Sequence, residues 1–151
     1  GFNRISLGIQ DFDHHVLQII HRKPSLLPVE ELVGELMAGG LKVNFDFVYG
    51  LPGQSTQSFV STIERASRME PERIVTFSYA HVPWIKKAQT VLESHGLPNA
   101  DEKLNMFMSA NEMLIAEGYL PIGLDHFAKP GDELAVSLKN RQLHRNFMGY
   151  W

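Results

Sequence analysis

Apolar and polar residues alternate in four stretches of this chain, and apolar residues recur at helical spacing between those stretches. In 4–10, Ile5, Leu7 and Ile9 fall on one side, and Ser6, Gly8 and Gln10 on the other. In 43–49, Val43, Phe45, Phe47 and Tyr49 oppose Asn44, Asp46 and Val48. In 73–80, Val75, Phe77 and Tyr79 oppose Ile74, Thr76, Ser78 and Ala80. A period of two marks each of these as a strand. Residues 119–126 read as a fourth strand, which Pro121 places at an edge or an end.

The intervening segments predict helices. Val16, Ile19 and Ile20 share a face within 11–23, where Asp11 or Asp13 can cap, and Pro24 ends that segment. A helix over 28–38 has Pro28 in its first turn, and Leu32, Val33, Leu36 and Met37 as its buried stripe. Ser55 or Thr56 opens a helix through Met69, with Phe59, Ile63 and Ala66 facing inward. Residues 81–98 form a loop with a short helical stretch. Asn99 and Glu102 make a capping box for a helix to Glu117, with a stripe of Leu104, Phe107, Met108, Leu114 and Ile115. From 127 onward the chain reads as loop with a helical turn or two.

Strands alternating with helices predict an α/β fold with a parallel sheet and right-handed crossovers. Both a doubly wound sheet and a (β/α) barrel have this order. The strand faces favour the barrel. One face is bulky and the other small or polar, whereas a sheet covered on both sides would be apolar on both. The expectation is a partial (β/α) TIM-like barrel of about four parallel strands with crossover helices. Four strands do not close an eight-stranded barrel, and the ends, Gly1-Phe2 and NFMGYW, look cut. A single piece, 1–151, of a larger protein is therefore expected.

Asp46 stands out against this frame. A carboxylate in mid-strand costs several kcal/mol to bury without a partner, and in a barrel that partner is often a ligand near the strand's carboxyl end. The structural alternative is a carboxylate that caps a turn or pairs with Arg. Gly50-Leu51-Pro52-Gly53, just beyond, is explained by a turn alone.

Composition narrows the function classes. With 151 residues, 44% of them hydrophobic, the chain can bury a real core. A net charge of −3 gives no nucleic-acid footprint. No apolar run approaches the ~20 residues of a membrane span, and no signal peptide is visible, so a cytoplasmic protein is expected. The sequence has no Cys, which excludes disulfides, a thiolate nucleophile and a cysteine-ligated cluster on this chain's own residues. Its seven His lack ligand spacing; His14 and His15, adjacent on a helix, cannot both face one ion. No protein-metal site is expected.

GIQDF at 8–12, FDFVYGLPGQ at 45–54, FSYAHVP at 77–83, DHFAKPGDELA at 125–135 and LHRNFMGY at 143–150 resemble the oxygen-independent coproporphyrinogen III oxidases. These are radical S-adenosylmethionine enzymes of haem biosynthesis. The last two segments are the most specific; the GIQ and YGLP types recur more widely among related radical enzymes. The resemblance implies a partial barrel with a [4Fe-4S] cluster, bound by a CxxxCxxC loop and chelated by S-adenosylmethionine. The cofactor yields a radical that takes hydrogen from a propionate side chain, and loss of CO₂ leaves a vinyl group. That cysteine loop is missing here, so the chain corresponds to the later part of the barrel and would be inactive alone.

Carried over residue by residue, the family's S-adenosylmethionine contacts fall on Gln10, Arg22, Asp46 and Ala80. Gln10 and Asp46 suit ribose hydroxyls or the amino group, Arg22 suits the methionine carboxylate, and Ala80 would meet the adenine through its backbone. Gln10 and Arg22 have plainer readings too. Gln10 could be a strand-end amide that satisfies a loop, and Arg22 a solvated cation at a helix C-terminus. Asp125, His126 and Arg145 are candidates for the barrel mouth, where a porphyrinogen with four propionates needs cations and donors; ordinary loop hydrogen bonds would explain them equally. The runner-up function is a related haem chaperone, which the ending GYW keeps open. Exposed strand edges would allow dimerisation.

Overall fold

The computed structural model describes residues 1–146, 149 and 150. Phe147, Met148 and Trp151 lie outside the described residues, and with them part of LHRNFMGY and the end of GYW. The elements are β1 (Arg4–Gln10), α1 (His14–Ile19), α2 (Val29–Ala38), β2 (Lys42–Tyr49), α3 (Thr56–Arg68) and β3 (Arg73–Ser78), followed by α4 (Thr90–Glu93), α5 (Ala100–Ala116), β4 (Leu120–Pro121), β5 (His126–Ala128), α6 (Glu133–Lys139), β6 (Arg145–Asn146) and β7 (Gly149–Tyr150). A short 3₁₀ turn, Lys87–Gln89, leads into α4.

β1, β2 and β3 pair in parallel, and the five-stranded sheet has the order β1-β2-β3-β5-β4. Among the described residues the expected fourth parallel strand does not form. The 119–126 segment supplies β4 and the start of β5, which pair antiparallel with each other, and β5 pairs antiparallel with β3. Gly123-Leu124-Asp125 interrupts the run that alternation had joined, so the chain doubles back instead of crossing over.

Helices cover one face. Val33 of α2, Phe59, Ile63 and Ala66 of α3, and Met106, Ala110 and Leu114 of α5 pack with Val43, Phe45, Phe47, Ile74 and Phe127 of the sheet. The predicted caps form: Asp13 accepts from the amides of His15 and Val16, and Asn99 and Glu102 close their reciprocal box. The α5 stripe is rotated from its prediction. Leu104, Met108 and Ile115 are about half exposed, while Met106 and Ala110 point inward. Apolar residues lie all round that helix, so spacing could not choose the buried face.

β3 also turns the other way. Its register sets Ile74 beside Phe45 and Val75 beside Asp46, so Ile74 enters the helix-side core, while Val75 and Phe77 share the Asp46 face. With Ile74 and Val75 equally apolar, alternation alone could not fix the side. The open face therefore carries Ser6, Gly8, Asn44, Asp46, Val75, Phe77 and His126. At its amino end α6 covers it, through a buried Asp132 held by Arg4 and Arg73.

Behind the sheet, the buried Tyr119 hydroxyl donates to the Pro71 carbonyl at 2.7 Å. Burial and the nearby glutamates hold this phenol well above its ordinary pKa, so it stays a donor. Tyr119→Phe should cost about 1 kcal/mol, read as a lower urea midpoint with an unchanged m-value.

Candidate functional site

Three parallel strands end together, and their carboxyl ends hold the chemistry. At Gly8 the strand has no side chain, and a Cβ there would lie 3.3 Å from both the Arg22 Nη2 and the Gln10 Nε2. Those two groups therefore fill the space over Gly8, and Arg22 donates to the Gly8 carbonyl. Gly8 is in register with Asp46, so the carboxylate lies on the face over which the guanidinium and the carboxamide meet. Three of the four residues expected to bind the cofactor therefore share one face.

Gln10 takes a left-handed backbone, φ 71°, at an irregularity in the β1–β2 pairing. A non-glycine residue there stores of order 1–3 kcal/mol and needs an anchor. The anchor is the next residue. Asp11, 1% exposed, accepts from the Thr62 hydroxyl at 2.6 Å, the Gln54 amide at 2.7 Å and the Asp13 backbone at 2.9 Å. Gln54 in turn accepts from the Leu51 N–H and donates to the Val48 carbonyl. One buried carboxylate thus ties the end of β1 to α3 and to the Gly50–Gly53 turn, where both glycines have positive φ. Sequence reasoning saw Asp11 as a possible cap and gave Gln54 no role; a buried polar hub leaves no periodic trace.

Asp46 is half-buried. Among the described residues its carboxylate has no hydrogen-bond partner. Burial raises its pKa, and the nearby His126 opposes that rise less strongly. His126 stands in register with Val75 on the same face. Its Nδ1 bonds the Asp125 carboxylate at 2.7 Å, and its ring meets Phe77 and Tyr150 edge-on. Arg145 stacks over Tyr150, its guanidinium carbon 5.3 Å from the ring centre. The three candidates for the mouth are thus gathered beside the Asp46 face.

Ala80 lies past the end of β3, so strand alternation does not govern it. Its carbonyl accepts from the Gln89 side chain at 3.0 Å, and the same carboxamide accepts from the Val82 N–H at 2.7 Å. A cavity of about 420 Å³ lies beside Gln10 and Arg22, lined also by Leu51, Tyr79, Lys86 and Gln89 among others, but not by Ala80. Asp46 is outside that lining. Tyr79, whose phenol burial shifts upward, bonds His81, and His81 bonds Glu93 at 2.9 Å. This chain, and Gln89, were not anticipated.

The arrangement can accept from amino and hydroxyl groups at Asp46 and donate to a carboxylate at Arg22. It has no ligands for a cluster: the sequence lacks Cys, and among the described residues no three His, Asp or Glu side chains gather as a metal requires. Among the described residues no helix is long and apolar enough to cross a membrane.

No family model matches the chain. The oxygen-independent coproporphyrinogen III oxidase of Synechocystis sp. is 42% identical over 151 residues, covering 99% of this chain and 32% of that protein. The chain spans about a third of the length of the first curated relatives it matches. Among solved structures, the Escherichia coli coproporphyrinogen III oxidase, described as a radical SAM enzyme, superposes with a TM-score of 0.93 and 39% identity, over 100% of this chain and 35% of that one. An archaeal Elp3 from Methanocaldococcus infernus matches at a TM-score of 0.56 over 72% of this chain and 26% of that one; at 18% identity it speaks for the fold alone. From β1 to its last strands, the chain is similar in sequence and in fold to a third of an oxygen-independent coproporphyrinogen III oxidase.

Proposed function

We propose that this chain is the later part of the partial (β/α) barrel of an oxygen-independent coproporphyrinogen III oxidase, and that its open face takes S-adenosylmethionine. The observation that carries the reading is Asp46: a half-buried carboxylate without a hydrogen-bond partner among the described residues, facing a strand position with no side chain. The identity of 42% across the chain supports the assignment. The donor set fits the ligand. Asp46 and Gln10 accept from its ribose hydroxyls or amino group, and the negative charge complements a sulfonium. Arg22 pairs with the methionine carboxylate, and the Ala80 backbone meets the adenine.

When bound, S-adenosylmethionine supplies the radical that removes hydrogen from a substrate propionate. This chain's residues bind, orient and shield it. The cluster's ligands are not among them and belong, on this reading, to a cysteine loop elsewhere in the protein. Asp125, His126 and Arg145 lie where the propionates of a porphyrinogen would approach. The outer edge of β1, unpaired among the described residues, is the place where a further strand or a second copy would add.

The test is an anaerobic assay of the full-length protein with coproporphyrinogen III, reductant and S-adenosylmethionine. Vinyl product is expected, formed with loss of CO₂. No vinyl product together with stoichiometric haem binding would overturn the oxidase in favour of a haem chaperone.

A further inference from the structure

The cavity beside Gln10 and Arg22 has cations in its lining and no carboxylate. Arg22 and Lys86 bring positive charge, and Ile20, Leu51 and Leu92 form an apolar wall. This local excess stands in a chain of net charge −3. Elsewhere the basic side chains Arg4, Lys42, Arg65, Arg68 and Arg73 each pair with a carboxylate. Among the described residues the Lys86 ammonium pairs with none. Immediately before it in the chain, Trp84 and Ile85 are 74% and 72% exposed. The segment that carries these groups is well fastened. The Lys86 N–H donates to the Val82 carbonyl at 2.8 Å, the Gln89 carboxamide bridges Ala80 and Val82, and His81 bonds Glu93 at 2.9 Å. The ammonium and the indole therefore start from a supported backbone.

Cations without counter-charge beside apolar surface suit a carboxylate carried on an apolar body. The methionine portion of the cofactor has one carboxylate, and Arg22 is there to take it. A porphyrinogen with four propionates always presents carboxylates besides the one under attack, on a largely apolar ring system. We propose that Lys86 holds such a spectator propionate, and that Trp84 covers the pyrrole edge that bears it. This rests on the reading of the chain as part of a coproporphyrinogen III oxidase. It adds residues that set substrate affinity, on the loop after β3, to Asp125, His126 and Arg145.

Anaerobic kinetics of the full-length protein test this, together with calorimetry of S-adenosylmethionine. Lys86→Gln should raise the KM for coproporphyrinogen III about 3–10-fold with little change in kcat, as for a contact equally strong in ground and transition states. Lys86→Arg should restore it, and Trp84→Ala should raise it as well. Lys87→Gln removes the same charge one residue on, outside the cavity lining, and should leave KM as it was. S-adenosylmethionine affinity should be the same in all of them. An unchanged KM in Lys86→Gln or Trp84→Ala, or an equal rise in Lys87→Gln, overturns the proposal. Weakened S-adenosylmethionine binding in Lys86→Gln overturns it too, and assigns the ammonium to the cofactor's carboxylate. If the parent forms no vinyl product, the oxidase reading falls first, and this inference with it.

Discussion

Replacing Asp132 by alanine should cost about 3–5 kcal/mol of folding free energy, because it leaves two part-buried arginines without their shared counter-ion. Asp132 is fully buried. Both of its oxygens accept from the Arg73 Nε at 2.9 Å, Arg4 lies 3.2 Å away, and its Oδ1 also caps α6 through the Leu134 amide. One carboxylate therefore joins β1, β3 and α6. Glu133, mostly exposed, shares the same arginines and cannot replace it, since exposed pairs contribute little. Burial alone would raise the Asp132 pKa, but the Arg73 and Leu134 hydrogen bonds and the two cationic charges outweigh it and bring it below the ordinary 3.8. The sign follows. The unfolded chain takes up this proton first as pH falls, so the stabilisation is present above the ordinary carboxylate range and is lost on acidification through it. Urea unfolding at pH 7 and pH 3 checks both points: the gap between parent and Asp132→Ala should be wide at pH 7 and narrower at pH 3. A loss below 1 kcal/mol at pH 7 would mean that α6 docks without this anchor.

Asp132 itself was invisible as an anchor. It sits in a segment that reads as loop, 59 residues from Arg73, and nothing local links the two. By contrast β1, β2, α2 and α3 were legible almost to the residue, since their apolar periods are strict and their caps are local chemistry. Where both faces of a segment are apolar, as in β3 and α5, the pattern named the element but left its orientation open. That was settled by register with Phe45 and by packing against α3. The split of 119–126 into an antiparallel hairpin is a long-range choice, because the short run of β5 finds its partner in β3 rather than in a following strand.

The site divides along the same line. Gln10 and Asp46 lay on the small or polar side of clean alternations, so a common face followed from the pattern, and the structure places them so. Arg22 reaches that face from beyond α1, which no periodicity predicts; the resemblance alone pointed to it. For Ala80 the alternation was extended past the true end of the strand. What the sequence could not offer was the support behind these residues: Asp11 with Gln54 and Thr62, or Gln89 on the backbone of the following loop. Each rests on polar contacts between residues that no periodic pattern links.

Asp46 carries the central claim, and its two expected effects have opposite signs. Its carboxyl is raised above the ordinary aspartate pKa by burial, so the folded state holds the proton after the unfolded chain has released it. Stability from this group is greatest in acid and falls as pH rises through the window above 3.8. Asp46→Ala should therefore leave the fold at pH 7 as stable as the parent or more so, whereas a structural carboxylate would lose stability. Ligand binding should move the other way, by about 1–3 kcal/mol, the value of a hydrogen bond to a charged group. That corresponds to roughly 5–150-fold in affinity. The deciding measurement is the dissociation constant of S-adenosylmethionine for the full-length parent and for Asp46→Ala, each with its urea midpoint. Weakened binding with an undiminished midpoint is the predicted result. Unchanged affinity with a lowered midpoint would contradict it and make Asp46 a structural residue.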